Sequence, residues 1–410
     1  MERDIRMLHQ KNQDLEGEVR RLRKAVEEGR DIRPDSSRKS VIRTDNPQYD
    51  LRLGGRITGR YTALEADHPV DDEFSVERAR LFTDVSLMDH YRLRIQVEFA
   101  EDPELRDGYL EVDYVPWARF RLGQFKVPFT LENQQSHKYI DFAERSLSVD
   151  NMRLPARDIG IMLHGQSPSR VFEYQLALLN GTGENQSDDN GAKDLAGRLV
   201  FRPFLEPENN ALTGMQVGIS GTWGNQDTDF SSREFLTVGG TPFIDFASDT
   251  VHEGTRSRLG TEFAWAAGPA LLKTEWMWMW LDDFRRPPLE EDVRFYSGYV
   301  STSYLLTGER KTLNRIVPQR PLSPPQGDWG AWELAARYSL FHSDDDLFRL
   351  GLASGTSRTD AFTIGLNWYL NEALRLTLNY EHAEFDDDLL INGEVLDDED
   401  VFLVQTQLEF

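Results

Sequence analysis

From residue 51 onward, apolar and polar positions alternate with a period of two. Leu51, Leu53, Gly55, Ile57, Gly59 and Tyr61 alternate with Arg52, Gly54, Arg56, Thr58 and Arg60. Tyr91, Leu93, Ile95, Val97 and Phe99 do so with Arg92, Arg94, Gln96 and Glu98, and the pattern returns over Phe362–Leu370 and Leu374–Tyr380. Stretches of about ten residues with one apolar face, separated by turn residues, predict transmembrane β-strands. Short turns near Met88-Asp89, Val115-Pro116, Ser167-Pro168, Ala267-Gly268 and Asn371-Glu372 alternate with long polar connections at 64–73, 127–155, 181–193, 224–254, 282–292, 342–358 and 386–399. Connections 205–211 and 307–328 are longer than their side of the series requires. With the strand-like Phe235–Phe246 assigned to a folded loop, the count is 16, which brings both termini to the periplasmic end and leaves room for a water-filled lumen. The chain closes on Phe402, Val404, Thr406, Leu408 and Phe410, an amphipathic last strand ending in phenylalanine, like the sorting signal of bacterial outer-membrane barrels. Trp276, Trp278 and Trp280 share one face of a strand and suit an interfacial girdle.

The first 29 residues follow another rhythm. Ile5, Asn12, Val19 and Val26 fall at heptad position a, and Leu8, Leu15 and Leu22 at d. Such a seam predicts a supercoiled oligomer, with one asparagine at a fixing register; a lone amphipathic helix is the other reading. Residues 30–49, with Pro34, Ser36, Ser37, Ser40 and Pro47, read as a linker. The expected fold is therefore all-β: a 16-stranded antiparallel transmembrane β-barrel over 50–410, preceded by a short periplasmic α-helical coiled coil at 1–29.

Composition narrows the function. A mean hydropathy of −0.55 excludes a bundle of spanning helices, each of which needs about 20 apolar residues; a barrel escapes that test. No cysteine is present, so disulfides, thiolate metal sites and cysteine nucleophiles are excluded. The net charge of −24 disfavours nucleic-acid binding. None of the eight histidines, His9, His68, His90, His137, His164, His252, His342 and His382, lies in a G-x-S-x-G or H-E-x-x-H context. An enzyme is the disfavoured reading, and no cofactor or metal is expected. Met1 is followed by Glu2, Arg3 and Asp4 without an apolar run, so the numbering is expected to begin on a mature or recombinant chain.

Six stretches, Phe74–Phe82 (FSVERARLF), Gly123–Phe129 (GQFKVPF), Ala143–Leu147 (AERSL), Arg157–Leu163 (RDIGIML), Leu306–Glu309 (LTGE) and Gly330–Ser339 (GAWELAARYS), resemble the phosphate-selective porin O/P family in order and spacing over roughly 51–410. The resemblance implies a 16-stranded homotrimeric porin in outer-membrane lipid and lipopolysaccharide, with the loop after Gln124–Phe129 folded into the pore. It also implies a lysine directly after the Leu-Glu of that loop, where this chain has Asn133 after Leu131-Glu132. Strict phosphate selectivity is thereby in question, and a general anion preference is not.

On the alternation, Arg52, Arg56, Arg60, Arg78, Arg80, Arg92, Arg94, Arg119 and Arg121 point into the lumen, joined by Arg198, Arg202, Arg258, Arg337 and Arg375. A guanidinium presents a planar fork to phosphate or carboxylate oxygens, and a series of weak sites permits passage. The alternative is structural: the arginines brace the wall against Glu98, Glu111, Asp113, Glu262, Glu333 and Glu381. In the constriction loop, Asn133, Ser136, Lys138, Arg145 and Arg153 are the candidates, with Lys138 and Arg145 as filter residues or as loop anchors, and Gln135–Arg145 as a short helix. The acidic excess sits in outer-loop runs such as Asp344-Asp345-Asp346, Asp386-Asp387-Asp388 and Asp397–Asp400. An acidic mouth opposes anion entry, but at ~0.15 M salt its field is screened over about 8 Å. The expected function is passive diffusion of small hydrophilic solutes, with a preference for small anions such as phosphate, polyphosphate or carboxylates. Alternatives are a non-selective or cation-preferring porin and a structural or adhesive barrel without conductance. The coiled coil offers contact with the periplasm or cell wall.

Overall fold

The computed structural model describes residues 41–43, 49–65, 68, 71–153, 155–188, 190–205, 211–230 and 233–410. The heptad segment 1–29 and nearly all of the linker lie outside the described residues. Among the described residues, sixteen antiparallel strands close into one barrel: β1 (Tyr49–Leu64), β2 (Glu73–Leu87), β3 (Tyr91–Glu98), β4 (Glu104–Val115), β5 (Ala118–Lys126), β6 (Arg157–Gln166), β7 (Phe172–Leu179), β8 (Asp194–Phe201), β9 (Gly214–Asn225), β10 (Thr255–Ala267), β11 (Ala270–Arg286), β12 (Leu289–Leu305), β13 (Ala331–Ser343), β14 (Arg358–Tyr369), β15 (Leu374–Ile391) and β16 (Glu394–Glu409). Each pairs with the next, and β1 closes the ring on β16, with Ile57 opposite Leu408 and Tyr61 opposite Val404. Closure leaves no sheet edge whose backbone groups would face hydrocarbon.

Exposure is inverted relative to a water-soluble core. Ile57, Leu81, Leu122, Ile161, Leu199, Ile219, Ile364 and Leu378 are exposed, while Thr58, Arg198, Ser220, Thr363 and Asn379, one step along the same strands, are buried. A ring of outward apolar side chains around a polar interior suits lipid outside and water inside. Trp276 faces outward with them. Phe410 completes the seam: its N–H donates to the Gly55 carbonyl and its own carbonyl accepts from the Gly55 N–H, both at 3.1 Å. Its ring lies where a Cβ on residue 55 would stand, 2.5 Å from the ring's Cζ.

The wall is uneven in height. Strands β3, β7 and β8 have 8 residues each, whereas β11 and β12 have 17 and β15 has 18. On the tall side, Phe230, Phe235, Phe243, Phe246, Phe284, Phe295 and Phe341 form a buried aromatic cluster at the long-loop end. Phe235–Phe246 is loop, as expected, and contributes Glu234–Leu236 and Pro242–Phe246 to a separate three-stranded sheet with Ala353–Gly355. Two expected long loops, 282–292 and 386–399, are instead hairpins in which the barrel strands run on to tight turns. The inward-facing Phe284, Val293, Leu389 and Leu396 join the cluster and hold those extensions down. At the second tip, Asn392 and Gly393 take positive φ, 52° and 93°, the backbone that a two-residue hairpin turn requires.

Candidate functional site

The connection from β5 to β6, residues 127–156, is largely buried and packs against the inner face of the tall side. Two short helices shape it, Leu131–Gln134 and Leu147–Met152. Each is capped as its sequence dictates: the Thr130 hydroxyl accepts from Asn133 N–H and the Ser146 hydroxyl from Val149 N–H. The expected helix at Gln135–Arg145 is absent, and only the 3-10 turn His137–Tyr139 forms there. The reason is visible in the contacts. This stretch spends its backbone groups on the wall: Ala143 N–H donates to Asn379 at 2.7 Å, and the Ile140 and Asp141 carbonyls accept from Arg375 and Asn367 at 2.8 and 2.7 Å. Those groups are then unavailable for i→i−4 pairing.

Ionic contacts fasten the same loop. Glu275 accepts from the Leu131 and Glu132 N–H groups and from the Tyr299 hydroxyl. Asp141 lies 3.2 Å from Lys273 and 2.6 Å from Lys311, which also pairs with Glu333. Burial disfavours charge on Asp141, but the two lysines outweigh it and hold the carboxyl below the usual carboxylate range. Further along the loop, Glu144 pairs with Arg60, Arg78 (3.1 Å) and His137 (2.8 Å). Burial again opposes the charge, and Arg78, His137 and Arg60 overcome it, keeping Glu144 well below its ordinary value. His137 is pushed well below the usual imidazole value, first by burial and then by Arg78.

Between this loop and the low side of the barrel lies a cavity of about 390 Å³. Its cationic lining comprises Arg56, Arg78, Arg80, Arg94, Arg106, Arg121, Lys126, Lys138, Arg145, Arg153 and Arg157, and Asp107 is the one carboxylate that lines it among the described residues. Most of these cations are paired with carboxylates, which apart from Asp107 stand outside the lining. Arg80 pairs with Glu98, Arg94 with Asp84 (2.8 Å) and Asp107 (3.2 Å), Arg121 with Glu111, Arg157 with Asp107 (2.8 Å), and Lys138 with Glu409 (2.7 Å). Lys126 donates to the carbonyls of Asn133, Gln134 and Gln135. Arg145 donates to the carbonyls of Glu132 and Gln135, and burial with the neighbouring Arg153 lowers it to about 9. Arg56 is buried and its Nη1 has no hydrogen-bond partner among the described residues.

The sequence-derived candidates therefore separate. Arg56, Arg78, Arg80, Arg94 and Arg121 border the cavity, as do Asn133, Ser136, Lys138, Arg145 and Arg153 of the loop. The Asn133 amide itself is turned to the neck of the loop, donating to the carbonyls of Val127 and Ala156. Arg153 pairs with Asp150. Arg60 braces Glu77, Glu144 and Gln405. Arg92 and Arg119 share Asp113 near the short turns, and Arg52 is exposed beside the Phe82 ring. Arg198 pairs with Glu262, Arg337 with Glu381 and Arg202 with Glu173, while Arg258 reaches Thr222 and the Met152 carbonyl. Of the expected carboxylate partners, Glu98, Glu111, Asp113, Glu262 and Glu381 meet arginines, and Glu333 meets Lys311. Sequence reasoning missed Arg106, Lys126 and Arg157. Arg106 is skipped in the β3–β4 register, where Gln96 faces Asp107 and Val97 faces Leu105. That bulge breaks the parity on which the inward set was chosen.

A model of the family described as phosphate-selective porin O and P matches residues 51–410. Porin O of Pseudomonas aeruginosa is 24% identical over 408 residues, 90% of either chain. Among solved structures, OmpT, an outer membrane protein of Vibrio cholerae, gives a TM-score of 0.59 at 14% identity over 90% of this chain and 99% of its own. The outer membrane channel DcaP of Acinetobacter baumannii gives 0.58 at 13% over 90% and 99%. The anion-selective porin from Comamonas acidovorans gives 0.56 at 14% over 88% and 100%. At these identities the structural likenesses speak to the fold.

Proposed function

Because the chain belongs to the phosphate-selective porin O and P family, an outer-membrane channel family, we propose that its lumen carries small anions by passive diffusion along the low side of the barrel. The observation that carries this reading is the composition of the cavity wall: eleven lysine and arginine side chains against the single carboxylate of Asp107. An anion entering a narrow lumen sheds part of its hydration shell, and guanidinium forks replace it. Low-dielectric walls strengthen the field relative to open water. Carboxylates behind most of the arginines keep each site shallow, so a solute is passed along rather than trapped. The similar barrel from Comamonas acidovorans is an anion-selective porin, which agrees with this sign of charge.

On this reading Arg56, Arg78, Arg80, Arg94 and Arg121 form the anion path, Lys138 and Arg145 border its narrowest part, and the remaining arginines fix the wall and the loop. With Asn133 in place of a loop lysine, the channel accepts small anions in general rather than phosphate alone. The barrel sits among outer-membrane lipid and lipopolysaccharide as a homotrimer. The test is the reversal potential of the purified protein in a planar bilayer under a KCl gradient. A chloride-favouring potential supports the reading; a potassium-favouring potential would assign selectivity to the acidic outer loops and overturn it; absence of conductance would overturn the channel itself.

A further inference from the structure

Inward positions of a wetted barrel are ordinarily polar, yet the phenyl and phenol rings of Phe82, Tyr109 and Phe125 border this cavity. The first two belong to an ordered succession across four adjacent strands: Phe82 on β2, Arg94 on β3, Tyr109 on β4 and Arg121 on β5. The Arg94 guanidinium stands 5.0 Å from the Phe82 ring centre, and the Arg121 guanidinium 4.1 Å from that of Tyr109. Asp84 and Glu111, outside the lining, hold these two guanidiniums from behind, and Asp107, which lines the cavity, pairs with Arg94 as well. Room for the Phe82 ring is built into the facing strand. Its partner in the register is Gly54, where a Cβ would come within 2.4 Å of the ring's Cζ. Next along the same inward face, Arg56 faces Arg80, and the Arg56 Nη1 is a buried donor without a partner among the described residues. Buried donors are almost always satisfied, so an unsatisfied one on a residue that borders a cavity points to a group that completes it once the arginine side chain turns toward the lumen. Two residues along β1, roughly 6.6 Å, separate this donor from the level of the Phe82 ring. One small aromatic acid and the flexible arginine side chain bridge that distance.

We propose that this shelf of alternating rings and guanidinium planes reads the body of a permeating anion, and that the favoured permeants are carboxylates carrying an aromatic ring. The ring stacks on the flat surfaces of the shelf while the carboxylate completes Arg56. Inorganic anions and short aliphatic acids use only the charged half of the site. This rests on the anion-channel reading above.

The full-length protein in planar bilayers, conducting chloride, is titrated separately with benzoate, acetate and inorganic phosphate. Benzoate is expected to halve the chloride current at about one tenth of the concentration that acetate or phosphate requires, a difference of about 1.4 kcal/mol. In Phe82→Leu the benzoate-to-acetate ratio falls to within about threefold, and Phe82→Tyr restores it. Should Phe82→Leu fail to insert, Tyr109→Leu is read for the same loss of ratio. Equal benzoate and acetate potency in the native channel, or a ratio unmoved by the shelf variants, overturns the proposal and leaves the anion channel standing. A potassium-favouring reversal potential without any carboxylate effect overturns the anion reading and the proposal with it.

Discussion

Replacing Asp107 by asparagine removes the one carboxylate lining the cavity among the described residues, with little change in side-chain volume. Its Oδ1 accepts from Arg157 Nε at 2.8 Å and its Oδ2 from Arg94 Nε at 3.2 Å. Arg94 keeps Asp84 at 2.8 Å, whereas Arg157 loses its carboxylate and turns a full charge to the lumen. For an anion about 4 Å from the lost charge, removal of the repulsion is worth about 1 kcal/mol in water and about 4 kcal/mol at an effective dielectric constant of 20. The cavity is open to solvent, so the lower figure applies, which is about fivefold in anion association. The reversal potential under a KCl gradient should move further toward chloride, and anion block should strengthen by that factor. The same variant weakens two charge-assisted hydrogen bonds of about 1.5–3 kcal/mol each, so the temperature at which the barrel unfolds in a heated detergent gel should fall. A potential that stays put or moves toward potassium would refute the assignment of the path to the low side of the barrel.

Other perturbations test neighbouring parts of the argument. His137 and Glu144 are both held below their unfolded values, so as pH falls the unfolded chain takes up each proton first. The loop contact therefore keeps its full strength above about pH 6.5, weakens by up to about 1.4 kcal/mol per pH unit below it through His137, and weakens again below about pH 4.5 through Glu144; current noise that is identical at pH 7.5 and 4.5 would contradict this. Gly55→Val places a branched side chain where the Phe410 ring stands, and the fraction of heat-modifiable, folded barrel on a gel should drop sharply; an undiminished yield would deny the seam its role. Phe235→Ala opens a void in the aromatic cluster and should cost about 3–5 kcal/mol, read as a lower unfolding temperature, with the sign of ion selectivity retained.

The barrel was legible because parity is a long-range constraint. A closed sheet turns every second residue to lipid, so Ile57 and Leu378 declare their side without knowledge of their neighbours. The ion pairs followed from the same parity: Arg80 and Glu98 are direct partners in the β2–β3 register, and Arg121 faces Glu111 across β4–β5. Parity failed where the register slips. Arg106 enters through a bulge, and Lys126 and Arg157 sit at the two shoulders of the loop, where the alternation ends. Residues 135–145 carry helix-compatible side chains, but the contacts that unwind them come from β14 and β15, more than two hundred residues away. Likewise Asp386-Asp387-Asp388 reads as a solvated loop. Its backbone nonetheless continues a strand, because Leu389 and Leu396, paired with each other beyond it, are buried in the outer cluster.

Bracing and conduction, the two readings open to the arginines from sequence, describe one arrangement once the pairing is known. A guanidinium carries five donors, and a carboxylate set behind it occupies part of that fork. The remainder faces the lumen, oriented and partly neutralised. An unpaired guanidinium in the same place would hold an anion too deeply for release, since conduction needs several weak sites in series. Arg80 with Glu98, Arg94 with Asp84 and Asp107, and Arg121 with Glu111 are paired in the way that the anion-channel reading requires. Arg56 departs from that pattern, and on the anion-channel reading it is the deepest point of the path. Arg337, under the loop with Glu381, and Arg198 with Glu262 have equally good partners but are buried. On the anion-channel reading, position relative to residues 127–156, rather than pairing, thus decides which guanidiniums reach a passing ion, and the loop would divide the lumen by charge as well as by space.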